Sequence, residues 1–394
     1  MAATGRVGVP RDPSHLREMN KLLVRNVFRR DGPLTRVDAA RISGLTKPTI
    51  SAIVRELVDE DVLVELDEKV AVSSGISPRM YRYNNLAKLF AGVHIGVTTT
   101  DAMITDALGE QLGALSQPTP VRDAHGALDR AADLLRRCLN EHRLPHDRIA
   151  GVGVCLSGLV DTDAGRCLLA PNLGWKDVDV ARYFETGAPV VVHNVIHAAL
   201  EAEHREGAAV GVADTALLLE DNGVGMALMT RGQVYTGADG FAGELGHCKV
   251  PGAVEPCGCG GVGCLETRVS AQAVLRRAAG LLSPDLPPAQ VFATLASSDD
   301  PAAAGLLRRV GEEVGSAAAW VVNLFNPRVL LLGGTFGSAG PVFEQAVAST
   351  ISGHSLFDLA RSVQVRSSRF PLTGAARGAL LLARRRVDEM DEQR

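Results

Sequence analysis

The sequence predicts an α/β protein: a small trihelical head with a two-strand wing, then a large body of alternating strands and helices. Three observations carry that reading. Charge is uneven, because residues 1–50 hold ten Lys/Arg against four Asp/Glu, about +6, while the whole chain of 394 residues is −4. Apolar periodicity is helical up to residue 60 and then switches repeatedly between strand-like and helical runs. Three of the seven cysteines crowd, with a histidine, into one glycine-rich stretch.

The head reads in order. Leu16, Met19, Leu22, Leu23, Val27 and Phe28 recur at helical spacing, so a first helix is expected over 16–30, ended by Asp31-Gly32-Pro33. Thr35 caps a short second helix, Arg36 to Ile42. Ser43-Gly44 makes a tight turn, and Thr46 caps a third helix, Lys47 to Glu60, with Pro48 in its first turn. Helix, helix, glycine turn, helix is a helix-turn-helix pattern. Thr46, Lys47, Thr49 and Ser51 open the third helix, where short hydroxyls and a cation reach base edges and phosphates; Arg55 lies one turn further on, and Arg36 opens the second helix. Val62–Glu65 and Met80–Tyr83 are two short β runs, a wing from which Arg79 and Arg82 touch backbone phosphates. A trihelical packing module without DNA is the competing reading; the basic bias and the wing favour DNA.

The body is expected to begin with a strand, Leu89 to Val97, running into a glycine turn, and a second, Asp101 to Thr105. A helix over 127–141, strands over 149–156 and 190–192, and a helix over 198–206 follow. Asp221-Asn222-Gly223 between two apolar runs, 215–220 and 224–230, is a hairpin signal. A long helix over 303–323, a strand over 329–332 and a closing helix over 375–386 complete the α/β pattern.

His247, Cys257, Cys259 and Cys264 supply four soft or borderline ligands, the complement of a closed structural zinc site, with glycines that let the loop fold back on itself; Cys248 is read as a spectator. No run of apolar residues is long enough for a membrane span and the first residues lack a signal-peptide core, so a cytoplasmic protein is expected.

Together these residues resemble the ROK family of repressors and sugar kinases. The Cys/His stretch is the most specific match, and Gly-Leu-Thr-Lys-Pro-Thr-Ile-Ser in the head resembles the winged helix of the repressor branch. The resemblance implies a two-lobed actin-like, hexokinase-like body with a sugar cleft. It assigns sugar contacts to Gly158, Asn172, His193, Asn194, Glu244, His247 and Glu266. It also exposes departures from the kinases. His94 and Val97 alter the first phosphate loop, Asn222 lies in the altered second one, and His193-Asn194 falls where an Asn-Asp pair would carry the base, leaving an amide that takes no proton. No catalytic residue is therefore expected, and the body is read as a degenerate kinase.

The expected organisation is a flexible tail over 1–14, a winged helix-turn-helix over 15–84, a first lobe over 85–195 and a second over 196–372 with a zinc loop at 247–264. The helix over 373–394 returns to the first lobe. The expected function is a sugar-responsive regulator, most simply a repressor, that binds operator DNA as a homodimer or homotetramer and carries one zinc per chain. The alternatives are an active ATP-dependent sugar kinase with a DNA-binding head, and a ligand-independent repressor with a vestigial cleft.

Overall fold

A computed structural model describes residues 13–69, 78–120, 123–370 and 374–393. The tail expected over 1–14 lies mostly outside them, and so does the wing loop, residues 70–77. The chain divides into two compact units, Met1–Leu89 with Thr105–Glu110, and Phe90–Ile104 with Gln111–Arg394.

The first unit contains α1 (Pro13–Asp31), β1 (Leu34–Thr35), α2 (Arg36–Ser43), α3 (Lys47–Asp59), β2 (Leu63–Lys69) and β3 (Arg79–Tyr83). The caps fall where hydroxyls precede helices: Thr35 accepts from Asp38 N and Thr46 from Thr49 N. Gly44, at φ +72°, makes the left-handed turn between α2 and α3 that a β-carbon would strain. The wing strands form a sheet in the order β1-β3-β2. One core joins Val24 and Phe28 of α1 to Ile50, Ile53 and Leu57 of α3 and Tyr81 of β3, each large side chain contributing about 1.5–3 kcal/mol. The expected apolar face of α1 is only partly buried: Val24, Val27 and Phe28 are inside, whereas Leu16, Met19, Leu22 and Leu23 stay exposed. The core contacts come from the second half of the helix, and Arg17 and Lys21 in its first half pair with Glu56 of α3.

The second unit continues with β4 (Leu89–Ile95), β5 (Thr99–Thr105), β6 (Gln111–Pro118), α4 (Ala124–Glu141), β7 (Ile149–Leu156), β8 (Leu159–Asp161), β9 (Arg166–Ala170), β10 (Trp175–Asp179), β11 (Val190–Asn194) and α5 (Val195–Glu206). After these come β12 (Thr215–Glu220), β13 (Val224–Thr230), β14 (Gln233–Tyr235), α6 (Glu266–Val269), α7 (Ala271–Arg277), α8 (Val291–Ala296) and α9 (Pro301–Phe325). The last elements are β15 (Val329–Gly334), α10 (Gly340–His354), α11 (Phe357–Ser362), β16 (Gln364–Ser367) and α12 (Gly374–Glu392).

Two five-stranded sheets organise this unit. The first runs β11-β7-β4-β5-β6 and the second β14-β13-β12-β15-β16, with a small three-stranded sheet, β10-β9-β8, beside them. In the second sheet β12 and β15 are parallel and fully buried, apolar along their length except for Thr215 and Glu220 at the two ends of β12, as strands covered on both faces must largely be. Helix α12 crosses back to pack on β7, β11 and α5 of the first sheet. That approach is backbone to backbone: a β-carbon at Gly153 of β7 would overlap the Ala379 carbonyl, and one at Gly378 the Ala198 carbonyl. The strand expected over Leu89–Val97 stops at Ile95, and the helix expected from 198 starts at 195, where Asn194 caps it. The small sheet, β14, β16 and the helices α7, α8, α10 and α11 add to the elements expected from the sequence.

Candidate functional site: a cleft beside a cysteine–histidine cluster

The imidazole Nδ1 of His247 and the thiols of Cys257, Cys259 and Cys264 converge, all four ligand atoms lying within 4.8 Å of one another. The backbone explains the convergence. Lys249 and Cys264 form one antiparallel bridge and Pro256 and Val262 another, so the chain doubles back with Cys257-Gly-Cys at its tip. Cys259 Sγ is 3.7 Å from Cys264 Sγ, and Cys257 Sγ is 3.7 Å from His247 Nδ1. Those are the edge lengths of a tetrahedron whose centre is about 2.1–2.3 Å from each corner, so the cluster fits a metal ion. Cys248 is exposed and stands outside it, and Cys138, Cys155 and Cys167 are buried singly. Sequence reasoning does not point to Lys249, whose Nζ donates to Cys264 Sγ at 3.0 Å, a cation placed beside the cysteine sulfurs. Its place two residues after the ligand histidine was the available signal.

The cluster borders a cavity of about 670 Å³ between the two large sheets. Gly158, Asn172, Asn194, Glu244, His247 and Glu266 all line it. His247 turns Nδ1 toward Cys257 and Nε2 toward Glu244 Oε2, at 3.7 Å, so one ring serves the cluster and the cleft. Glu266 Oε2 accepts from Val224 N at 3.0 Å, and Asn172 Nδ2 donates to the Asn222 carbonyl at 3.2 Å; both hold the hairpin turn 221–223. The cleft walls desolvate the Glu244 carboxyl and raise it, His247 pulling it down and Glu266 pushing it up.

His193 is the exception. Successive residues of β11 point to opposite faces, and His193 lines a different cavity behind the strand. Its assignment to the sugar cleft is therefore corrected: the residues turned to the cleft at this point are Asn194, Val195 and Ile196. Asn194 is also held in place, its Oδ1 accepting from Ile196 N at 2.8 Å and its Nδ2 donating to the Gly158 carbonyl at 2.8 Å.

Near the glycine turn of β4, His94 is buried. Its Nδ1 is 3.2 Å from Asp101 Oδ2, and its Nε2, without a hydrogen-bond partner, is 3.9 Å from Asp221 Oδ2. Burial opposes ionisation of Asp101, but hydrogen bonds from His94 and Ser116 hold its carboxyl below the ordinary range. Asp221 itself lines the cleft, and Asn222 takes the left-handed turn position at φ +54°. The sequence reading had singled out His94 and Asn222 but neither aspartate.

In the first unit, Lys47, Ser51 and Arg55 recur every four residues of α3 and share one face, with Lys47 and Arg55 exposed, as is the cap residue Thr46. Thr49 and Thr46 share a hydrogen bond at 2.8 Å. Arg36 is half-buried with its guanidinium 5.0 Å over the Tyr81 ring, Arg79 pairs with Glu65, and Arg82 donates to Asn85 at 3.3 Å. No helix among the described residues is long and apolar enough to cross a membrane.

Comparison with known proteins fits this geometry. The chain is similar to the xylose repressor of Bacillus subtilis, 24% identical over 374 residues that cover 93% of this chain and 95% of that one. It is similar to the DNA-binding transcriptional dual regulator NagC of Escherichia coli, 25% identical over 383 residues, 94% and 93% of the two chains. Among solved structures, a ROK family transcriptional regulator homologous to E. coli Mlc superposes with a TM-score of 0.75 at 26% identity, covering 96% of this chain and 98% of that one. A ROK family glucokinase from Streptomyces griseus, in complex with glucose and AMPPNP, gives 0.67 at 26% identity, covering 75% of this chain and 99% of that chain. The model of the ROK family matches residues 90–386, and the chain belongs to that family.

Proposed function

We propose that this chain is a sugar-responsive transcriptional repressor whose kinase-like body senses and does not phosphorylate. One observation carries the reading: a helix-turn-helix unit precedes a polyhydroxyl-sized cleft in which the residues at the head of α5 are an amide and two hydrocarbons, Asn194, Val195 and Ile196. Kinase members place an Asn-Asp pair there. The resemblance sets that pair at His193-Asn194, so an amide, Asn194, stands where a carboxylate would take the sugar proton, and His193 lines another cavity behind the strand. An amide is no base, which forfeits general-base assistance worth about a hundredfold or more. At the phosphate end, Asp221 adds a carboxylate to a turn that would have to approach phosphate oxygens, and His94 fills the space beside it.

Glu244, Glu266, Asn172, Gly158 and the free ring nitrogen of His247 offer the hydrogen bonds a sugar requires. The cluster of His247, Cys257, Cys259 and Cys264 takes zinc, one per chain; with four protein ligands the metal keeps no open position and acts on the sugar only by fixing His247 and the loop. The Lys47, Ser51 and Arg55 face of α3, with Thr46 and Thr49 at its start, enters the major groove of operator DNA. Arg82 adds a phosphate contact from the wing, whereas Arg36 and Arg79 are engaged within the head and support its shape. Two heads in a homodimer, or pairs in a homotetramer, match an inverted repeat. Sugar changes operator affinity because the lobes around an occupied cleft favour one arrangement over the other.

The test is an operator gel shift with xylose, glucose and N-acetylglucosamine as probes, alongside an assay for ADP release. Sugar-sensitive DNA binding without turnover is expected, and His247→Ala should lose the sugar response. Robust sugar-dependent ADP release would overturn the reading in favour of an active kinase, and an operator complex indifferent to every sugar would leave a ligand-independent repressor.

A further inference from the structure

A second cavity, of about 440 Å³, opens on the opposite side of β11 from the sugar cleft. Its walls come from both halves of the body. His193 and the end of β11 form one side, with His197 from the first turn of α5. Gln233 of β14 and Thr236 form another, and Thr162 and Asp163 close the rim. The last wall is α12, where Leu382, Arg385, Arg386 and Glu389 follow the i, i+3, i+4, i+7 spacing that places four residues on one helical face.

The chemistry is rich in donors. Desolvation pushes the His193 imidazole down to about 4, with His197 and Arg385 adding cationic character around it, and desolvation also lowers His197, against a backbone hydrogen bond with Ala242. The His193 ring is then neutral near pH 7 and brings one N–H, whereas the N–H of His197 is already shared with the Ala242 backbone carbonyl. Arg385 Nε donates to Glu389 Oε1 at 2.9 Å, which fixes the guanidinium and leaves its two terminal amino groups for another acceptor. Arg386 is exposed and forms no ion pair among the described residues. Of the two carboxylates present, Glu389 is committed to Arg385 and Asp163 is exposed at the rim. Nothing in the sugar-sensing reading uses these groups.

We infer that this groove is a second small-molecule site, one that takes the phosphate or carboxylate group of a compact polar anion between Arg385, Arg386 and the His193 imidazole. Arginine forks match such oxygens in pairs, and a neutral imidazole donates to them without an added charge. The site takes a different chemical class from the sugar cleft, whose lining carries carboxylates. Because β11, α5 and α12 meet the second-sheet strand β14 around it, an anion bound there braces the two halves of the body from behind the cleft. Occupancy then biases the same lobe arrangement that the sugar selects.

The experiment titrates full-length, metal-loaded protein with inorganic phosphate, and separately with malate, by calorimetry at constant ionic strength, chloride serving as the control anion. One saturable site per chain is expected for at least one of the two, and which binds tighter separates a phosphate from a carboxylate preference. Arg386→Gln, on an exposed side chain that folding does not need, should weaken binding about tenfold or more, as should Arg385→Gln. The ring protons of His193 and His197 should shift in NMR spectra as the anion is added. Absence of saturable binding, or binding unchanged in both arginine variants, would overturn the proposal. Loss of the site in Lys47→Ala would equally sink it, by placing the ion on the head. None of these readouts depends on the sugar or the operator.

Discussion

His94 and Asp221 face each other across the two halves of the body, imidazole Nε2 to carboxylate oxygen at 3.9 Å, with no protein group satisfying that nitrogen. Asp101 holds the other ring nitrogen at 3.2 Å. The ring therefore separates two carboxylates that would otherwise confront one another. His94→Leu keeps the volume and removes the two ring nitrogens that face the carboxylates. The variant should lose about 1–3 kcal/mol of body stability, read as a lower melting temperature. Asp221→Asn in the same background should recover part of the loss, and the double-mutant cycle reads the coupling between His94 and Asp221.

Metal removal is expected to reach the cleft through Glu266, which follows the last cysteine by two residues and accepts from Val224 N. Chelation should release one zinc per chain, measured with a metallochromic dye, and lower the melting temperature of the body. Lys249→Met leaves all four ligands in place yet removes the cation on Cys264. It should weaken zinc affinity about tenfold in competition with the dye.

Glu220 provides a pH signature. It is buried at the end of β12, takes hydrogen bonds from Ala271 N and Thr335 Oγ1, and is pushed up to about 7 by burial, with Asp221 and Glu266 adding to the shift. A folded-state value above the unfolded one of 4.5 means the folded form holds the proton more tightly. The resulting stabilisation is full below about 4.5 and is lost as pH rises through about 7. The span corresponds to about 3 kcal/mol. Glu220→Gln should flatten that dependence, so the melting curves of variant and wild type should diverge between pH 5 and pH 8. Parallel curves would refute the assignment.

On the DNA side, Lys47 is an exposed cation at the start of α3 and Arg55 lies two turns along the same face. Lys47→Ala should weaken operator binding and reduce the slope of log affinity against log salt by about one. Arg79, paired with Glu65, should change that slope less when replaced.

The helices of the head were legible because each start is a hydroxyl cap and the turn is a glycine, local signals that Thr35, Thr46 and Gly44 fulfil. The cysteine–histidine loop was legible for the same reason: its ligands lie within eighteen residues of sequence. The side of β11 was not. A strand pattern of Val-Val-Val-His-Asn is apolar on both faces, so alternation gives no phase, and His193 and Asn194 exchange faces with a shift of one residue. The Asp101–His94–Asp221 contact was hidden by distance along the chain, since over a hundred residues separate its ends. The outward half of α1 misled because its periodicity is helical while its partners are charged groups on α3.

The glycine seams under α12 impose an order of assembly. Gly153 and Gly378 let the helix lie against bare backbone, so β7, β11 and α5 lack their cover until residues 374–392 have been synthesised. The head has its core within residues 24–81 and needs no such wait. During translation at about 5–20 residues per second, the head is complete some tens of seconds before the sheet behind it can close. A nascent chain interrupted before residue 374 presents a finished head on an unfinished body, with the apolar faces of β7 and α5 open to chaperones.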